Sequence, residues 1–198
     1  MAHQQHLKVL AVVGSLQRNS VTRVVLRELI DLLERSGCRG EIVDLETEPL
    51  PMYNPDTSRK CEVYLQLKPR VEAADVYILG TPDYHGSVSG AMKNFLDHFW
   101  HEFAGKLFGT VVASHEKGLT ATDQLRTIAR QCYAWTLPYG VSLAEKVDVK
   151  DGHVTSETLR QRLEMMARDL RVYGQLLAAQ RRSDLVGSDP GFMAKHRG

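Results

Sequence analysis

Two short runs of continuous apolar residues, Val9–Val13 and Val76–Gly80, constrain this chain more than any other feature. A strand with one wet face alternates apolar and polar side chains. A strand without alternation is covered on both faces, which is the habit of parallel sheets sandwiched between helices. The intervening segments supply the helices. Val21, Val24, Val25, Leu29, Leu32 and Leu33 share one helical face, with Arg23, Arg27, Asp31 and Arg35 on the other and Gly37 as the stop. Met92, Phe95, Leu96 and Phe99 repeat at helical spacing, and Thr155–Gln180 turns Leu159, Leu163, Met166, Leu170, Tyr173 and Leu177 inward. The spacing predicts strands at Lys8–Val13, Glu41–Leu45, Asp75–Gly80, Leu107–Ser114 and Gly140–Leu143. Further helices are expected at Cys61–Ala74, which Pro69 must start, kink or split, and at Thr120–Trp135. Such alternation of strand and helix implies an α/β fold, a doubly wound five-stranded parallel sheet with helices on both faces.

Composition narrows the function classes. The 198 residues suit one domain, expected over residues 1–182, with a Gly-, Ser- and charge-rich mobile tail over 183–198. A net charge of +1 offers no electrostatic case for nucleic acid or for a membrane surface, and the apolar runs are far too short to span a bilayer. The opening residues Met1–His6 have no signal-peptide anatomy, and Cys38, Cys61 and Cys132 are widely spaced with no Cys-x-x-Cys pair. Both features fit a reducing cytoplasm and argue against disulfides.

In a sheet of order 2-1-3-4-5 the first and third strands are neighbours, so the loops after them meet at the topological switch point, where such sheets bind ligands. The first loop is Gly14-Ser15-Leu16-Gln17-Arg18-Asn19-Ser20, opening a helix at Val21. The unpaired N–H groups and dipole of that helix start favour an anion, and the serine, amide and guanidinium side chains add donors. A helix N-cap at Asn19 or Ser20 without any ligand is the competing reading. No Gly-x-Gly-x-x-Gly and no Gly-Lys-Ser/Thr occurs, which weakens dinucleotide and nucleoside-triphosphate readings. The second loop, Thr81-Pro82-Asp83-Tyr84-His85-Gly86-Ser87, combines a rigid Pro82, an aromatic Tyr84 and a permissive Gly86. It can lie along a flat ring, or be an ordinary strand-to-helix turn capped by Ser89. A phosphate loop beside a ring loop suggests flavin mononucleotide (FMN).

The first loop, together with Thr81–Asp97 (TPDYHGSVSGAMKNFLD) and Leu50-Pro51-Met52-Tyr53-Asn54, resembles the NADPH-dependent FMN reductase family over Leu7–Gln180. The resemblance implies a flavodoxin-like fold and a hydride passed from NADPH (or NADH) to bound FMN. From there reducing equivalents go to a small-molecule acceptor such as a quinone, free flavin, azo compound or metal oxyanion. It also implies that Ser15, Gln17, Arg18, Asn19, Ser20 and Val21 hold the phosphate while Pro82, Asp83, Tyr84, His85 and Gly86 line the ring. Ser114, His115 and Gly118, in the loop after the fourth strand, form a third wall. The family's usual arginine falls on Gln17, with Arg18 one place later and expected to make the charged contact; Asp83 and His85 replace Glu and Asn, and Ser89 replaces a proline. The resemblance further implies a homodimer or homotetramer, with Met52–Asp56 and His98–Phe103 as interface candidates.

Other constellations carry less. His98-x-x-His101 has no third ligand at a convincing spacing, so no metal is expected. Ser15 lacks the Gly-x-Ser-x-Gly elbow of a hydrolase nucleophile. No acid–base pair stands out, in keeping with chemistry carried by the cofactor itself. The alternative of a different class is a non-enzymatic flavodoxin-like carrier or an FMN-binding regulatory module.

Overall fold

The structure, a computed structural model, describes residues 6–197. Its main sheet is built on β1 (Lys8–Val13), β2 (Arg39–Asp44), β3 (Val76–Tyr84) and β5 (Leu107–Ala113), all parallel, in the order β2-β1-β3-β5. The fifth position is shared by two short pieces, β6 (Trp135–Thr136) and β7 (Val141–Leu143), each parallel to β5. The expected order is therefore present, with its last strand interrupted at Leu137–Gly140. β4 (Ser87–Val88) pairs antiparallel with the end of β3.

The lack of alternation in the strands is explained by their two covers. Val9, Ala11, Val13, Val76, Ile78 and Val111 face α1 (Val21–Arg35) and α6 (Glu157–Val186). Leu10, Val12, Tyr77, Leu79, Phe108 and Val112 face α2 (Glu62–Ala73), α3 (Gly90–His98) and α4 (Leu119–Gln131). α5 (Glu145–Asp148) and an antiparallel ribbon of β8 (Val149–Lys150) and β9 (His153–Val154) precede α6.

Several expected boundaries move, each for a local reason. β3 runs on through Tyr84, because Pro82 to Tyr84 continue as strand into a tight hairpin with β4. Pro69 lies inside α2 without splitting it. α4 stops at Gln131, not Trp135, since Tyr133 takes a positive φ of 56° and the chain returns to the sheet at Trp135. Tyr173, expected inward, is 45% exposed, and Arg23, expected outward, is buried. The last helix extends to Val186, and the segment expected as a mobile tail packs up to residue 197. Met193 is 1% exposed, Arg181 Nε donates to Ala104 O, and Arg197 donates to Asp184 O and Asp189 O. Its Phe192 stacks on Tyr133, an anchor that composition does not reveal. Residues 1–5, part of the leader reading, lie outside the described residues.

Candidate active site at the switch point

The C-terminal ends of β1 and β3 are locked together before any ligand is considered. Gly14 N–H donates to Gly80 O at 2.7 Å, and a Cβ on Gly14 would stand 2.8 Å from Met92 Cβ and 2.9 Å from that same carbonyl. Only glycine fits so close an approach. Ser89 ties the two loops together. Its hydroxyl donates to Gly14 O at 2.6 Å, accepts from Met92 N–H as the N-cap of α3, and its own N–H donates to Thr81 Oγ1.

Ser20 caps α1 by accepting from Arg23 N–H, leaving its hydroxyl proton free to donate outward. The preceding loop is held by an arginine assigned from the sequence to the solvent face. The Arg23 guanidinium forms a two-pronged ion pair with Asp44 at the end of β2, and its Nη1 donates to Gln17 O at 3.0 Å and Arg18 O at 2.7 Å. Hydrogen bonding to Asp44 holds the Arg23 pKa above its ordinary value. Helical spacing alone put Arg23 outside, because the pattern cannot anticipate that β2 ends in a carboxylate beside the helix start.

The second loop is a two-residue hairpin rather than an open turn. His85 and Gly86 have φ of 57° and 76°, the doubly left-handed pattern of a type I′ turn. Gln124, on α4, accepts from the Ser87 hydroxyl and from Val88 N–H and donates to Gly86 O, holding the hairpin tip from behind. Nothing in the sequence singles it out. Asp83 Oδ2 accepts from the Ser114 hydroxyl at 3.1 Å, whereas Asp83 Oδ1 is buried with no partner.

Ser15, Gln17, Ser20, Val21, Pro82, Asp83, Tyr84, Ser114 and His115 line one cleft of about 100 Å³. Thr22, Ala113 and Glu145 join them unanticipated. Arg18 and Asn19 line a neighbouring trench instead, and His85 and Gly86 form the hairpin tip outside the cleft. Gly118 stands apart as the left-handed N-cap of α4, where a Cβ would meet Val112 Cγ1 at 2.6 Å. His98 and Phe99 are 2% exposed and Phe103 is fully buried, so the expected His98–Phe103 interface offers outer surface only through Trp100, His101 and the half-buried Glu102. Among the described residues no group of three or more metal-binding side chains comes together.

The site suits FMN chemically. One end offers hydroxyls and free helix N–H groups to a phosphate, and the other offers a half-exposed Tyr84 and a buried acceptor, Asp83 Oδ1, that lacks a donor.

Comparison with known proteins agrees. Residues 7–148 match the family described as NADPH-dependent FMN reductase. The chain is 32% identical over 173 residues to an NADPH azoreductase of Bacillus sp. (strain OY1-2), covering 84% of this chain and 92% of that protein. It is 32% identical over 140 residues to an FMN-dependent NADPH-azoreductase of Staphylococcus aureus, covering 67% and 74%. Among solved structures, the flavoenzyme NAD(P)H:(acceptor) oxidoreductase of Paracoccus denitrificans superposes with a TM-score of 0.72 at 24% identity, over 86% of this chain and 98% of that one. A flavodoxin from Streptococcus pneumoniae superposes at 0.57 with 17% identity, over 82% and 97%, which fixes the fold as flavodoxin-like. The chain belongs to the NADPH-dependent FMN reductase family and is an FMN-dependent NAD(P)H oxidoreductase.

Proposed function

We propose that FMN binds across the cleft between the Ser15–Ser20 loop and the Pro82–Gly86 hairpin, and that the acceptor is a small organic molecule, an azo compound foremost. When bound, FMN would supply the hydride chemistry that carries two electrons from NADPH to that acceptor. The protein's own part is binding and orientation. Ser15, Gln17, Ser20 and the first N–H groups of α1 would hold the phosphate, with Arg18 at the rim as its charged partner. Tyr84 would lie against the ring, and Asp83 Oδ1, buried without a partner, would take a donor from the bound molecule. Arg23 acts on none of these atoms directly; it holds the loop carbonyls so that the loop's N–H groups point into the cleft. The carrying observation is the convergence of both loops on one cleft whose buried acceptor is unpaired. The azo preference rests on the curated relatives, which are named azoreductases.

No helix among the described residues is long and apolar enough to cross a membrane. The reading places the enzyme in the cytoplasm as a homodimer or homotetramer, with Met52, 83% exposed, and Trp100, 49% exposed, in the contact between copies. Two experiments test the function. Apoprotein titrated with FMN and with FAD should quench FMN fluorescence at the lower concentration; tighter FAD binding refutes the site. Initial rates with NADPH and an azo dye should give parallel double-reciprocal lines, and intersecting lines contradict alternate occupancy of one ring face. A carrier or regulatory module would show no turnover of NADPH at all.

A further inference from the structure

Beside the candidate FMN cleft lies a trench of about 830 Å³ between the start of α1 and the β8–β9 ribbon. It shares Ser20, Val21 and Glu145 with the cleft, so a molecule lying across the cleft's mouth passes directly into it. Arg18, Arg27, Lys146 and Lys150 line it, against the carboxylates of Glu145 and Asp151. Among the described residues none of these four cations forms an ion pair. Arg23 also reaches the trench, but its charge is spent on Asp44. With Arg18 turned to the FMN phosphate, Arg27, Lys146 and Lys150 face two carboxylates, which leaves about one positive charge uncompensated around the hollow.

The far wall is preorganised. Asp151 and Gly152 have φ of 50° and 75°, so the ribbon turns through a tight type I′ hairpin that carries Lys150. Val24 and the buried Val149 add apolar surface between the charges.

We infer that the trench receives the adenosine end of NADPH, with Arg27 and Lys150 reading its 2′-phosphate and so setting preference for NADPH over NADH. The 2′-phosphate carries about −1.5 to −2 charge at neutral pH, opposite in sign to the local excess. Arginine and lysine are the side chains suited to it, the first by its fork of donors and the second as a point charge. The inference rests on the placement of FMN in the adjoining cleft.

Calorimetry of FMN-loaded protein tests it, with adenosine 2′,5′-bisphosphate and 5′-AMP as probes. The bisphosphate should bind at least tenfold more tightly. The double variant Arg27→Ala/Lys150→Ala should erase that advantage and lower the ratio of kcat/KM for NADPH to that for NADH ten- to a hundredfold, while Lys150→Arg retains most of it. Equal affinity for the two probes, or equal losses with NADPH and NADH, overturns the inference. A double variant that loses FMN affinity in step overturns it as well, because the cations then serve the flavin phosphate. Wild-type protein that takes up no FMN refutes the cleft assignment instead, and the same two probes on flavin-free protein still decide the trench.

Discussion

Replacing Arg23 with alanine should damage both stability and flavin binding, by an amount the structure lets one work out. The guanidinium and the Asp44 carboxylate are 11% and 16% exposed, so the pair is largely withdrawn from water. Removing one partner of such a pair costs about 3–5 kcal/mol, because the other charge stays behind without compensation. Glu46 N–H still donates to Asp44 Oδ1 at 3.2 Å, which places the loss toward the lower half of that range. The two bonds from Nη1 to Gln17 O and Arg18 O are lost at once, and the loop carbonyls then turn to water. At a slope of roughly 2 kcal/mol/M for urea, the midpoint should fall by about 1.5–2 M. FMN affinity should drop more than riboflavin affinity, since the phosphate loop loosens while the ring hairpin does not. A double-mutant cycle with Asp44→Ala isolates the pair: Arg23→Ala/Asp44→Ala should cost clearly less than the sum of the two single changes. Additive losses, or a midpoint shift below about 0.5 M for Arg23→Ala, would refute the view that this pair braces the phosphate loop.

Four smaller changes probe other contacts. Glu145→Gln removes an anion from the FMN cleft and should tighten FMN binding about two- to fivefold at low salt, a gain that fades as salt rises; weaker binding means Glu145 contributes a contact. Arg18→Ala should weaken FMN about ten- to a hundredfold and riboflavin less, and Gln17→Ala should cost less FMN affinity than Arg18→Ala; unchanged FMN affinity in Arg18→Ala leaves the phosphate to serines and backbone alone. Ser89→Ala removes a helix cap and the tie to Gly14 O, and should cost about 1–2 kcal/mol in urea unfolding, whereas Ser89→Pro also deletes the N–H given to Thr81; a neutral Ser89→Ala sinks the tie. Lys106 is 2% exposed, and burial pulls its amine down to about 7. The unfolded chain, with its ordinary value of about 10.4, therefore binds more protons than the folded one between the two values, so stability should rise from pH 7 to 9.5. Lys106→Met should flatten that rise; a wild type that loses stability over this window contradicts it.

Much of the fold was legible in the residues themselves. Continuous apolar runs at Val9–Val13 and Val76–Gly80 require two covers, and helical repeats between the strands supply them, so sheet order and layers follow from short-range pattern and chain connectivity. Both walls of the candidate cleft were legible too, because serine, proline and glycine at strand ends restrict the backbone locally, and Ser20 and Ser89 cap their helices as expected. What tertiary structure alone decided is everything that depends on partners distant in sequence. Arg23 reads as a surface cation until Asp44 arrives beside it from β2. Gln124 has no signature until α4 lies behind the Tyr84–Ser87 hairpin. Glu145 enters the cleft, and Lys150 the trench, only because the chain after β7 folds back over the start of α1. The C-terminal segment looked mobile by composition, yet one buried methionine and one stacked phenylalanine fasten it. Local pattern sets which surfaces must be buried; the choice of which charge meets which carboxylate is made only when the surfaces close.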